Sequence, residues 1–229
     1  MNHFKGEQKD TDIIMMAVGY KLRYGMSYRE LVEVVNDRFH EKISHTTIMR
    51  WVHEYAPIFE KKWRKYRQSY GKTWRMDETY IKVKGKWWYQ YRAIDSTGWT
   101  LDYQLRKHRD KQAAYQFFKR LFKDFGEPRV LVTDKYSSTT AALKQLRKEE
   151  MYKSTIHCQS KYRNNMIEQD HRLLKKRLSR CTGFQSSSTA KVTLKGYEAM
   201  HGIYKEERKQ LVVPVFSAFK IMKEYLDVA

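Results

Sequence analysis

The spacing of apolar residues changes once along the chain, and no other feature limits the fold as much. Up to about residue 56 they recur every three or four positions; from Thr73 onward they alternate. Thr73 to Val83, Trp87 to Asp95 and Trp99 to Arg106 each read as a strand. The turns between them, Lys84-Gly85-Lys86 and Ser96-Thr97-Gly98, are short enough to join them only as an antiparallel meander. Asp110 then caps a helix from Lys111 to about Phe125, with the stripe Ala114, Phe117, Phe118 and Leu121. Gly126 and Pro128 stop it before the apolar strand Arg129 to Thr133. A helix from Ser137 to Glu150, a strand from Tyr152 to His157 and a helix from Asn164 to Arg180 complete the order βββαβαβα.

That order is the ribonuclease H-like arrangement, an α/β fold on a mixed sheet, and it occupies residues 73–182. An all-α region precedes it. Ile13, Met16, Ala17 and Tyr20 fall at i, i+3, i+4 and i+7, and Gly25 supplies a left-handed stop. Ser27 and Glu30 make a capping box ahead of Tyr28, Leu31, Val34 and Val35. After a turn from His40 to Ile43, Ser44 caps a third helix whose Ile48, Trp51, Val52 and Tyr55 face inward. Thr46, Met49, Arg50 and His53 lie on the opposite side. Two helices and a tight turn predict a helix-turn-helix within residues 1–56. In a chain of ordinary charge a solvated helical bundle would explain the same pattern.

This chain's charge is not ordinary. Its 229 residues hold 46 Lys+Arg against 26 Asp+Glu, a formal charge of +20, while 41% hydrophobic and 14% aromatic content is too apolar for a disordered basic tail. A folded protein this basic suits a polyanion, double-stranded DNA first and an anionic membrane surface second. Early residues of a recognition helix meet base edges, so Arg50 is placed for a bidentate contact to guanine and Thr46 for a thymine methyl. Residues 57–72 read as a basic connector: Lys61, Lys62, Arg64, Lys65, Arg67 and Lys72 stand against Glu60, with Trp63, Tyr66 and Tyr70 interleaved. Such a run tracks phosphates or is simply a solvated face.

The apolar run Ile13 to Val18 is far short of the roughly 20 residues of a membrane span, and no cleavable signal pattern precedes it. Cys158 and Cys181 lack CxxC spacing, which points to a reducing, cytoplasmic setting. A mixed site from His157, Cys158, His171 and Cys181 matches no common zinc pattern.

Three acids mark the ends or middles of apolar elements: Asp77 within the first strand, Asp134 directly after the fourth, and Glu168 in the first turn of the late helix. Singly each has a plain reading. Asp77 or Glu78 could be an edge-strand surface acid, Asp134 a turn or helix cap, and Glu168 an ion-pair partner of Arg172. Jointly they occupy slots where carboxylates converge, and clustered hard oxygen donors suit Mg²⁺ or Mn²⁺ in a two-metal phosphoryl-transfer site.

The stretches Ser44-His-Thr-Thr-Ile-Met-Arg-Trp-Val52, Met76-Asp-Glu-Thr-Tyr80, Tyr91-Arg-Ala-Ile-Asp95, Thr133-Asp-Lys135 and Tyr162-Arg-Asn-Asn-Met-Ile-Glu-Gln-Asp-His-Arg172 closely resemble bacterial DDE transposases of insertion-sequence family six, over about Phe4 to Lys209. The resemblance implies a retroviral-integrase-like catalytic domain with Asp77, Asp134 and Glu168 as catalytic acids and ligands of two Mg²⁺ or Mn²⁺ ions. It puts a basic partner at Lys175, seven residues after Glu168 and on the same helix face. Arg172, Lys176 and Arg177 on that helix are further candidates for DNA contact. Implied too are binding of terminal inverted repeats through residues 12–56, 3′-end cleavage, strand transfer with cointegrate formation, and at least a homodimer on DNA. Residues 183–229, with helices at Thr189 to Lys209 and Val215 to Leu226, supply dimer contacts or pack on the domain. Three positions depart from the family pattern: the turn Phe39-His-Glu-Lys42 is longer and lacks the usual glycine, Met49 replaces an aromatic, and Cys158 stands where Arg is common. Two other readings remain. One is a sequence-specific DNA-binding regulator or catalytically inactive domesticated relative, which the intact acids disfavour. The other is a nuclease without strand transfer, which the helix-turn-helix disfavours.

Overall fold

The computed structural model describes residues 4, 6–65, 70–160, 164–180 and 183–209, without the side chains of 206–209. In chain order the elements are α1 (Thr11–Tyr24), α2 (Tyr28–Phe39), α3 (His45–Lys65), β1 (Thr73–Val83), β2 (Lys86–Ile94), β3 (Thr100–Arg106), α4 (Lys111–Phe125), β4 (Val130–Thr133), α5 (Ser137–Lys148), β5 (Ile156–Gln159), α6 (Asn165–Leu178) and α7 (Ser187–Lys209). They form two compact units, one drawn from residues 1–68 and 176–229, the other from 69–175.

The first unit is helical, and its caps are those the residue types predict. Glu30 N donates to Ser27 Oγ at 3.1 Å, and Ser27 N to Glu30 Oε2 at 2.5 Å, closing the reciprocal box. The turn into α3 passes through His40 in the left-handed region and is clamped by Asn36, whose Oδ1 accepts from Ile43 N at 2.9 Å. Ser44 Oγ then receives Thr47 N at 3.2 Å. Inward faces are Ile14, Val18 and Leu22 on α1, Leu31 and Val35 on α2, and Ile48, Trp51, Val52, Tyr55 and Phe59 on α3.

Two expectations shift here. On α1 the buried face is wider than the stripe: Ile13 and Ala17 are buried as expected and Met16 and Tyr20 only half-buried, but Ile14, Met15, Val18 and Leu22 are buried too, because α7 covers α1 as well as α2 and α3 do. Pro57 does not end the third helix. It removes one backbone donor, the partner of the His53 carbonyl, but Phe59 and Glu60 prolong the buried face and α3 runs to Lys65. Residues 57–65 are thus the last turns of α3 rather than a separate connector; Tyr66 and Arg67 lie outside the described residues.

α7 lies along α3 and α1. The approach is close at Gly196, where a methyl group would stand 2.5 Å from Leu22 Cδ2 and 2.8 Å from Ala56 Cβ. Glycine in a helix costs about 1 kcal/mol relative to alanine, so its presence there reflects the space. Val215 to Leu226 lies outside the described residues.

The second unit is built on a five-stranded sheet in the order β3-β2-β1-β4-β5. β1, β2 and β3 are antiparallel, and β4 and β5 run parallel to β1, which is the ribonuclease H-like arrangement. On one sheet face Trp74, Met76, Tyr91 and Leu101 pack against Ala114, Phe117, Phe118 and Leu121 of α4 and against Leu143 and Leu146 of α5. β5 begins at Ile156, later than the expected Tyr152. Tyr152 belongs to that core, its hydroxyl donating to Leu143 O at 3.0 Å, and Glu127 Oε1 gathers the next backbone N–H groups, from Lys153 at 3.0 Å and Thr155 at 2.6 Å. A backbone wrapped around one carboxylate joins no ladder.

Candidate active site

β1 is the central strand, and its parallel pairing with β4 ends at Arg75 opposite Val132. Two residues further along each strand stand Asp77 and Asp134, so the register itself sets them side by side. Ligand oxygens of Asp77, Glu78 and Asp134 all lie within 4.8 Å of one another. Arg109, just ahead of the α4 cap Asp110, closes the group: its Nη2 donates to Glu78 Oε2 at 3.0 Å and to Asp134 Oδ2 at 2.9 Å. Its guanidinium lies 3.7 Å from the centre of the Tyr136 ring, and Tyr136 N donates to Asp134 Oδ1 at 3.1 Å.

Burial pushes the Glu78 carboxyl up to about 7, and the charges of Asp134 and Asp77 push the same way, outweighing Arg109. Burial works against the Arg109 charge, yet Glu78 and Asp134 hold its pKa above the ordinary arginine value. A carboxyl whose folded pKa is raised contributes stability that is full below its unfolded pKa of 4.5 and lost as pH rises through about 7. In EDTA, Glu78→Gln should therefore gain stability relative to the parent between pH 4.5 and 7, by up to about 3 kcal/mol. Urea unfolding measures this, and a difference independent of pH would contradict it.

Helix α6 is fastened to the opposite face of the sheet at three points. Asn164 Nδ2, at its start, donates to Met76 O at 3.2 Å, and His171 Nδ1 lies 3.4 Å from Asp77 Oδ2. Asp170 forms an ion pair with Arg92, which stands opposite Asp77 in the β1–β2 ladder and also donates to Thr100 Oγ1 at 2.5 Å. The inward stripe Asn164, Ile167, His171 and Leu174 turns Glu168 outward. Glu168 is exposed in the first turn of α6, outside the carboxylate group, and no ion pair with Arg172 is found among the described residues. Lys175, Arg172 and Lys176 are exposed on the same helix.

Arg177 is a correction. It continues the inward stripe three residues after Leu174 and is buried, donating through Nε to Arg23 O at 3.1 Å and through Nη1 to Tyr197 O at 3.3 Å. It fastens helices of the first unit and is not exposed as the other three cations of α6 are. On α3, Thr46, Met49 and Arg50 are exposed, and His53 is half-buried, with burial lowering its pKa. Lys61 and Lys65 are exposed, Lys62 is half-buried, and Arg64 pairs with Glu60.

Three contributors were not foreseen: Glu78, Arg109 and His171. Glu78 shares the apolar face of Trp74 and Met76, where an acid must find a partner, so alternation held the signal. His171 lies four residues after Ile167 and three before Leu174, on the inward stripe. Nothing local marks Arg109 as the partner.

The donor set suits a hard divalent cation. Of the three carboxylates two share the Arg109 guanidinium, and Glu78 Oε1 is buried with no hydrogen-bond partner. His157, Cys158 and His171 form no such group among the described residues; His157 Nε2 instead meets Thr133 Oγ1 at 2.8 Å, and Cys181 lies outside them.

Residues 71–207 match a family model described as a DDE domain. Over 218 residues, 95% of each chain, the sequence is 50% identical to the transposase for insertion sequence-like element IS431mec of Staphylococcus aureus. The chain belongs to the DDE transposases of insertion-sequence family six. Identity and coverage are the same for the S. aureus transposase of insertion sequence element IS257 in transposon Tn4003. Among solved structures, the transposase is similar to the HTLV-2 integrase catalytic core domain in complex with magnesium, trimeric form, with a TM-score of 0.42 and 17% identity over 66% of the transposase and 95% of that chain. The transposase is a polynucleotidyl transferase that acts on DNA with divalent metal. No helix among its described residues is long and apolar enough to cross a membrane.

Proposed function

We propose that the transposase binds terminal inverted repeats of its own element through α2 and α3, cleaves the 3′ ends, and joins them to target DNA to form cointegrates. The observation that carries this reading is the side-by-side placement of Asp77 and Asp134 at the ends of β1 and β4, with Glu78 beside them. Asp77, Asp134 and Glu168 are the catalytic acids; with Glu78 close by they would hold two Mg²⁺ or Mn²⁺ ions, which when bound activate the attacking oxygen and neutralise the leaving one. His171 orients Asp77. Lys175, two turns along α6 from Glu168, receives a phosphate of the reacting strand, with Arg172 and Lys176 on its flanks. Thr46, Met49, Arg50 and His53 present the recognition surface, and Lys61, Lys62, Arg64 and Lys65 follow the backbone phosphates. Two ends must be held together, so the working form is at least a homodimer on DNA, in the bacterial cytoplasm with the nucleoid.

A duplex carrying the element's own terminus tests this. The parent should cut its 3′ end in Mg²⁺ and stop in EDTA. Arg50→Ala should still cut a pre-nicked end at high protein concentration while losing roughly 1–3 kcal/mol of discrimination at one base pair. A parent protein that binds the terminus but cuts it in neither Mg²⁺ nor Mn²⁺ would instead be a DNA-binding regulator.

A further inference from the structure

Beyond Glu78 the same face of the sheet carries aromatic rings that the described residues of the second unit leave half-exposed or more at Tyr80 and Trp87. Alternation along β1 places Tyr80 and Lys82 on the face of Trp74, Met76 and Glu78. In the antiparallel register Tyr80 stands opposite Tyr89, and Lys82 opposite Trp87. The Tyr80 ring centre lies 5.3 Å from that of Tyr89 and 6.2 Å from that of Trp87. Trp87 is 60% exposed and Tyr80 51%, whereas Trp51 and Trp74 are buried. On that face Lys82 is exposed, as is Lys84 in the adjoining turn, and from Thr79 to Ile94 there is no acid.

We propose that the β1–β2 hairpin is a stacking platform for unpaired DNA bases, with Tyr80 and Trp87 meeting the base rings and Lys82 and Lys84 the adjoining phosphates. Duplex bases already stack on one another and hide their faces; freed bases do not, and aromatic side chains set among lysines bind them with little regard to sequence. A surface meant only for duplex phosphates has no use for open indole and phenol rings. A second copy of this chain is a poorer occupant. A twofold contact through the hairpin would bring its lysines against their own copies, and like charges in register repel. Tyr80 is two residues from Glu78, roughly 7 Å along the strand. The platform's use rests on the carboxylates being the cleavage site: a base freed beside the reacting bond would be held there, keeping the strand open.

Binding of fluorescein-labelled oligothymidylate, and of a duplex of equal length, can be followed by anisotropy in EDTA. Neither terminal repeats nor metal enters this assay, so it stands apart from whether the protein cuts ends. Trp87→Ala should weaken oligothymidylate binding about tenfold while duplex binding stays within about twofold, and Trp87→Phe should regain most of the loss. Trp87 is largely in solvent, so the variant should unfold in urea as the parent does. Equal weakening on both DNAs, or on neither, would overturn the proposal. So would a parent dimer that Trp87→Ala converts to monomer in sedimentation with oligothymidylate binding intact.

Discussion

Asp134→Asn should end 3′-end cleavage while leaving binding to the terminal repeat within about twofold of the parent. Asparagine keeps the side chain's size, and its Oδ1 can still accept from Tyr136 N, but it removes one of the charges that attract a cation. The rate should fall by more than the roughly 10- to 100-fold that loss of a supporting residue around a metal site costs. Glu168→Gln should abolish cleavage equally but differ before DNA is present. Glu168 stands outside the group formed by Asp77, Glu78 and Asp134, so its loss should barely change Mn²⁺ binding to the free protein, which Asp134→Asn should weaken strongly. Paramagnetic titration with Mn²⁺ distinguishes the two. Equal ion affinities in both variants would contradict the assignment, and cleavage surviving in Asp134→Asn would remove that residue from the reaction.

Arg92→Met should strongly destabilise the second unit. Arg92 is 1% exposed and paired with Asp170, itself 9% exposed, so removing the guanidinium takes a buried cationic partner from a buried carboxylate. Breaking such a pair from one side costs about 3–5 kcal/mol. Asp170→Leu added to Arg92→Met should recover most of it, since two apolar side chains need no partner. Urea unfolding of the two single variants and the double closes the cycle. A loss under about 1 kcal/mol in Arg92→Met would show that water already reaches Asp170. Because Asp170 lies between Glu168 and His171, the single variant should also loosen the hold on Asp77.

Much of this architecture is legible from short-range chemistry. Helices α2 and α4 begin where Ser27 and Asp110 cap them, and the β1–β2 and β2–β3 turns fall at Gly85 and Gly98 because these conformations are set within four residues. Errors arose where a distant group overrode the local signal. Glu127 delays β5 from about 26 residues away, and α3 runs past Pro57 because the buried face that Phe59 prolongs belongs to a helix on which α7 packs. Asp77 and Asp134 fall together because strand order and register put them there. Alternation along β1 marks Glu78 as an acid on the apolar face, but its partner Arg109 is not legible, because a salt bridge spanning 31 positions leaves no periodic trace. Arg177 looked like one more exposed cation until its inward stripe met α7.

The helical unit is assembled from both ends of the chain, with the entire sheet unit encoded between them. Its buried layer includes Leu194, Tyr197, Met200 and Ile203 of α7, so α1, α2 and α3 have no finished core until those residues leave the ribosome. During translation the sheet unit is therefore complete before the helical unit, to which we assign end binding, can close. On that assignment, a messenger cut short before α7 should yield a helical fragment whose core is unfinished and which competes poorly with the intact transposase for the element's ends.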